Sequence, residues 1–347
     1  MTTAARDAFP AAPSQERRVL LPVKIHEPAA LPNDARLFDA AGLSMGTTWR
    51  VKAIVSAGQA DSDITVGIQA HLSQVVAQMS PWEMNSDLMR FNRATAGTWI
   101  SVPAEFYQVL DHALLVAEQS DGAYDPSIGQ LANVWGFGPR GGRASIPPED
   151  ELNAALRYTG WRKINIDRSG KRVYQAGNIH IDLCSTAKGY GVDQVARYLE
   201  HKGIHSYLVE VGGELRGLGI KPDGQPWWVE MENPPSSLDG INTIVALHGL
   251  SIATSGDYRR SFEHNGTLYS HTIDPRTGFP VRNGLASVTV LHRECMIADA
   301  LATAMMVLGP EAGMDYAKKI KCAARFVVRL EEGYREYWTP TLWAMLD

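Results

Sequence analysis

Ser251-Ile-Ala-Thr-Ser-Gly-Asp-Tyr-Arg-Arg260, leading through His271-Thr-Ile-Asp-Pro-Arg-Thr-Gly278 to Gly284, is the stretch on which the fold reading turns. It gathers hydroxyl, histidine, carboxylate, arginine and glycine residues between two apolar segments, 243–247 and 286–291, that read as strands. A polar run of this kind is a loop-borne site and not a core. Working outward, residues 48–55 read as a strand and 65–79 as a helix with apolar residues at helical spacing. Residues 103–119 read as a helix with proline in its first turn, closed by Gly122. A helix over 149–158, a strand pair within 163–182 and a long helix over 187–202, stopped by Gly203, follow. Strands are expected in 207–220, 227–232 and 243–247, then a small-residue-rich helix over 296–308 and closing strands at 323–330 and 335–346. Strands in runs, with helices between only some of them, predict an α+β fold with mixed, largely antiparallel sheets. Residues 1–40, where 10–32 alternate charged, Ala and Pro residues, read as a flexible lead. Residues 41–347 read as one domain or two interlocked lobes.

Composition narrows the function. The chain has 347 residues, 45% hydrophobic and 20% charged, the profile of a globular protein. A net charge of −5 with scattered basic residues argues against a nucleic-acid partner. The cysteines Cys184, Cys295 and Cys322 are odd in number and lack paired spacing, so neither a disulfide framework nor a zinc site is indicated. No run reaches the roughly 18 continuous apolar residues of a membrane span.

Several constellations carry chemistry. Asp299 and Thr303 are four apart on a predicted helix, so a carboxylate and a hydroxyl share one face, hard oxygen donors of the kind magnesium takes. On spacing alone the ordinary reading stands ahead: an Asp on the helix dipole and a Thr bonding back to its own helix. Ile181-Asp-Leu ends as a strand, and Ser185-Thr-Ala-Lys-Gly189 opens a helix whose free N–H groups and Lys188 would meet an anion. As a bare pattern this is also an ordinary capped helix with a lysine on it. Gly122-Ala-Tyr-Asp-Pro-Ser-Ile-Gly129 and Leu131-Ala-Asn-Val-Trp-Gly-Phe-Gly-Pro139 suit flat-ring contact, or a packed turn with a core tryptophan. His271 is a candidate proton acceptor, although a lone histidine is more often structural.

Taken together and in order, from Met45 to about Thr303, these blocks resemble the FAD:protein FMN transferases, the ApbE family of magnesium-dependent flavin transferases. Cys295-Met-Ile-Ala-Asp-Ala-Leu-Ala-Thr-Ala304 resembles the family's metal helix. Tyr269-Ser-His-Thr-Ile-Asp-Pro275, Gly122-Ala-Tyr-Asp-Pro126, Trp135-Gly-Phe-Gly138 and Met45-Gly-Thr47 resemble further family blocks. The resemblance implies Asp299, Thr303 and the backbone carbonyl of Ser185 as magnesium ligands. It implies FAD contacts from Met45, Trp82, Ala123, Tyr124, Asp125, Asp182, Lys188 and Ile273, and a catalytic or acceptor-positioning role for His271. Trp82 stands where the family usually has Tyr, and Cys184-Ser185 stand where many relatives carry two glycines. The implied reaction moves FMN from FAD to a Ser or Thr hydroxyl of an acceptor flavoprotein through a phosphoester bond, releasing AMP. The alternatives are FAD pyrophosphatase activity giving FMN and AMP, or a flavin-binding protein without turnover. Many relatives are exported lipoproteins whose anchor needs an N-terminal cysteine; with none before Cys184, a cytoplasmic location is expected.

Overall fold

The structure, a computed structural model, describes residues 12, 17–139, 141–143, 145–235 and 242–347. Its principal strands are β1 (Arg17–Leu20), β2 (Ala35–Ser44), β3 (Thr47–Ser56), β4 (Tyr207–Val211), β5 (Glu214–Leu218), β6 (Trp227–Glu230), β7 (Asn242–Leu247), β8 (Leu250–Gly256), β9 (Leu285–His292), β10 (Ala323–Arg329) and β11 (Tyr334–Trp338). Its longer helices are α1 (Asp61–Met79), α2 (Ala104–Gln119), α3 (Glu149–Tyr158), α4 (Cys184–His201), α5 (Cys295–Leu308) and α6 (Pro310–Lys319). Eight strands form one sheet in the order β11-β10-β9-β8-β5-β4-β3-β2, every pair antiparallel. The α+β expectation therefore holds.

Helix α4 packs on β4 and β5, α5 packs on β8 and β9, and the two helices pack on each other. One core joins Phe38, Trp49 and Val51 of the sheet to Ile68 and Leu72 of α1 and to Val195 and Leu199 of α4. A second joins Phe106 and Leu110 of α2 to Met305 of α5 and to Val290 and Phe326 of the sheet. Along α5, Ala298, Ala300, Ala302 and Ala304 are fully buried, and their small side chains permit close contact with neighbours.

Two expectations about the ends of the chain need correction. Within the residues read as a flexible lead, β1 pairs in parallel with β7, which pairs with β6, in a three-stranded sheet. Leu20 is fully buried, and buried Arg18 ion-pairs with buried Glu336 of β11 and stacks over Trp338. Residues 1–11 and 13–16 of the lead lie outside the described residues. At the other end, 335–346 is not one strand. β11 stops at Trp338, and a short helix, Pro340–Trp343, follows, because Thr339 accepts from the Leu342 N–H as an N-cap and Pro340 occupies the first helical position.

Candidate active site

The site grows from the junction of α4 and α5. The N-terminal donors of α5 receive no cap from its own Glu294. Instead the carboxylate of Asp193 on α4 accepts from the N–H groups of Cys295 at 3.0 Å and Met296 at 2.9 Å. Asp193 is in turn held by Arg216 of β5, whose Nη1 lies 2.7 Å from its Oδ1. The helix that carries Asp299 and Thr303 is thus pinned by a neighbouring helix. It approaches α4 closely at Gly189, where a Cβ would lie 2.4 Å from the Cys295 carbonyl oxygen, a distance that only glycine avoids. Gly189 N–H donates to Asp299 Oδ2 at 3.1 Å. In a regular helix that N–H would point at the carbonyl of Ser185, and Ser185 itself departs from helical geometry with φ −86° and ψ 15°.

Charges gather at this junction. Burial raises the Asp299 carboxyl above the usual carboxylate range, and Lys188, the Gly189 N–H and Arg259 oppose that shift. Lys188 Nζ lies 2.5 Å from Glu214 Oε1 at the start of β5. Burial disfavours the Lys188 ammonium, but the carboxylates of Glu214 and Asp299 outweigh it and keep the cation protonated. Thr303 Oγ1 lies 3.1 Å from Ser255 Oγ of β8. Among the described residues no group of three His, Cys, Asp or Glu side chains could hold a metal. The oxygen atoms on offer are instead a carboxylate, a hydroxyl and a helix-start carbonyl, which suit a hard cation that keeps part of its water and do not suit zinc.

Of the other expected residues, Tyr124 and Asp182 meet the start of α4, while Asp125, Trp82 and Ile273 lie apart from it. Tyr124 is buried; its hydroxyl hydrogen-bonds with Thr186 and accepts from Ser185 Oγ at 3.3 Å, tying the block of Ala123 and Tyr124 to the start of α4. Asp182 Oδ1 accepts from Cys184 N–H at 2.8 Å, at the same helix start. Asp125 is engaged elsewhere, since its oxygens accept from Ser127 N–H and Oγ and from Trp161 N–H. Met45 occupies the two-residue Met45-Gly46 turn between β2 and β3, with φ +52°, and its Cε would lie 2.6 Å from a Cβ on Gly191 of α4. A methionine held in that conformation costs about 1 kcal/mol, and here it closes a two-residue hairpin that needs positive φ at both positions. Trp82 is 49% exposed in the loop after α1.

His271 sits at the far side. Its Nδ1 lies 3.1 Å from the Arg260 carbonyl oxygen. A carbonyl only accepts, so Nδ1 carries the hydrogen and Nε2 keeps its lone pair. Burial, with help from the charges of Arg260, Lys188 and Arg259, lowers the imidazole to about 4, so it is neutral near pH 7. The segment behind it is fixed from the aromatic block: the Trp135 indole donates to the Gly278 carbonyl at 2.7 Å and stacks with Tyr269. Ile273 is buried in this small satellite core with Leu131 and Trp135. Sequence reading missed Glu214, Arg259 and Ser255 as members of the centre. For Arg259 and Ser255 the signal was present in the opening stretch; for Glu214 it was only the preceding glycine pair.

A buried carboxylate, a hydroxyl and a lysine meet where two helices join on an antiparallel sheet, and the fold that carries them is that of the flavin transferases. The ApbE family profile matches residues 45–326, and the chain belongs to the ApbE family. It is 40% identical over 298 residues to the FAD:protein FMN transferase of Vibrio cholerae serotype O1, covering 86% of this chain and 89% of that one. It is 36% identical over 313 residues to the FAD:protein FMN transferase of Haemophilus influenzae, covering 88% of this chain and 90% of that one. The solved apo flavinyl transferase ApbE of Pseudomonas stutzeri superposes with a TM-score of 0.83 at 38% identity, over 90% of this chain and 97% of that one.

Proposed function

We propose that this chain is an FAD:protein FMN transferase that passes the FMN half of FAD to a Ser or Thr hydroxyl of an acceptor flavoprotein. The acceptor oxygen forms a bond to the FMN phosphorus, the pyrophosphate P–O bond breaks, and AMP leaves with the bridging oxygen. The hydroxyl proton goes to His271 Nε2, which is unprotonated and free to accept it. Lys188 faces the pyrophosphate and offsets charge on its oxygens. Met45 and Trp82 offer a thioether and an indole to flat rings.

Asp299, Thr303 and the Ser185 carbonyl would hold magnesium. A bound magnesium ion would supply charge neutralisation and orientation for phosphoryl oxygens. What supports this reading is the contact of Gly189 with Asp299, which sets the Lys188-bearing start of α4 against Asp299 and Thr303 of α5. The test is incubation with FAD, with and without magnesium and an acceptor fragment, following AMP release and acceptor mass. Covalent FMN that depends on both additions supports the transferase. AMP without an adduct would instead support the pyrophosphatase, and intact bound FAD throughout would support a flavin carrier.

A further inference from the structure

Glu214 is 1% exposed, whereas the Lys188 side chain in front of it is about one-third exposed, so the carboxylate stands behind the ammonium and out of reach of a ligand. The chain turns into that position through Gly212 and Gly213, with φ +60° and +96°. A Cβ on Gly213 would lie 2.9 Å from the Arg259 guanidinium, so the glycine also lets Arg259 cross the turn and donate to the Gly212 carbonyl at 3.1 Å. The other Glu214 oxygen, Oε2, is buried and has no hydrogen-bond partner among the described residues. Burying a carboxylate in this way is unfavourable, and an apolar side chain would pack there at less cost. What Glu214 does provide is a fixed anchor for one end of a long, flexible lysine, whose free side chain would lose about 2 kcal/mol of rotamer entropy on being ordered by a ligand.

Resting on the reading of Lys188 as the group that meets the pyrophosphate, we infer that Glu214 is the positioning residue of Lys188. It preorders the ammonium toward the α4–α5 junction and so strengthens FAD binding without touching the dinucleotide. The other charges near the pair are Asp299 from α5 and Arg259 from the loop after β8. Neither takes over the anchor: Asp299 accepts from Gly189, and Arg259 carries the same sign as Lys188.

The test is equilibrium FAD affinity, read by flavin fluorescence in the presence of EDTA, for the wild type, K188A, E214Q, E214D and the K188A/E214Q double variant. Circular dichroism and melting of each variant would verify folding. E214Q is expected to weaken FAD about tenfold in the wild-type background and less than about twofold in the K188A background, the signature of action through Lys188. E214D, which restores the charge at a shorter reach, is expected to recover part of the loss. With acceptor and saturating FAD, turnover of E214Q is expected to fall by a smaller factor than FAD affinity does, so the larger share of the change falls on KM. Wild-type affinity in E214Q, or an equal loss in both backgrounds, would overturn the inference while leaving Lys188 in place. Wild-type affinity in K188A would instead remove the reading on which it rests. Should E214Q not fold, E214D in both backgrounds carries the same comparison.

Discussion

Gly189 and Asp299 are joined by a 3.1 Å hydrogen bond from backbone to carboxylate, at a place where the two site helices come too close for any side chain larger than hydrogen. Gly189→Ala must therefore push α5 away from α4 or tilt it. Overpacking of this kind destabilises by roughly 1–3 kcal/mol. The expected outcome is a lowered urea midpoint together with a loss of FMN transfer of at least about tenfold, since a small misplacement of the reacting groups is enough for that. A folded Gly189→Ala enzyme with full turnover would show that the spacing of the two helices is unimportant.

Asp299→Asn keeps shape and removes charge. Turnover is expected to fall about 100-fold or more, the scale of one lost electrostatic group in a site. Folding stability should not fall, because burial already disfavours that charge. Retained FAD binding alongside lost transfer separates an enzyme from a carrier; isothermal titration and AMP release measure the two.

Asp193→Ala tests the borrowed cap. It frees two N–H groups at the start of α5 and leaves the largely buried Arg216 with the longer 3.6 Å contact to Glu200 as its ion pair. Breaking a buried ion pair from one side costs about 3–5 kcal/mol, so thermal unfolding should shift down sharply. Ser255→Ala should leave stability nearly unchanged and instead raise the magnesium concentration needed for half-maximal turnover, if Ser255 orients Thr303 as their 3.1 Å contact implies.

The pH dependence follows from two histidines. His271 and His112 both have imidazoles lowered to about 4, in each case first by burial. The unfolded chain takes up those protons as pH falls below about 6.5, while the folded chain does not until about 4. The stability these two imidazoles contribute is therefore full above pH 6.5 and declines across that window, by at most about 1.4 kcal/mol per pH unit for each, while the Glu214 carboxyl, pushed up to about 7 by burial, acts in the opposite sense as pH falls. Urea unfolding at several pH values between 7 and 4.5 measures it. For the same reason kcat/KM should show no acid limb centred on 6.5 from His271; such a limb would mean that the imidazole titrates as an exposed one.

Much of this was legible from local pattern. The four-residue spacing of Asp299 and Thr303, the Ser185–Gly189 helix start and the Gly203 stop all lie on one element each, and α4 and α5 occupy the expected places to within a few residues. What escaped depends on partners distant in sequence. β1 is four residues in a Pro-rich and Ala-rich segment, and it becomes a strand only because β7 lies beside it. The cap of α5 comes from another helix, so no residue just before Cys295 announces it. Glu214 looks like any strand glutamate until β5 sets it behind Lys188. One local signal was passed over. Asn265-Gly266, both at positive φ, closes a hairpin of Ser261–His264 on Thr267–Ser270, the type I′ signature, inside a stretch read only as a site.

The clamp between α4 and α5 also determines which parts of the protein can diverge. A glycine contact, a borrowed cap and a buried arginine hold the two helices to each other at the centre. The loops bearing Trp82, Arg260 and His271 follow α1, β8 and the hairpin after it, and lie outside that clamp. Relatives that serve different acceptor proteins are thus expected to vary in those loops, and to do so without disturbing the centre where the bond is made.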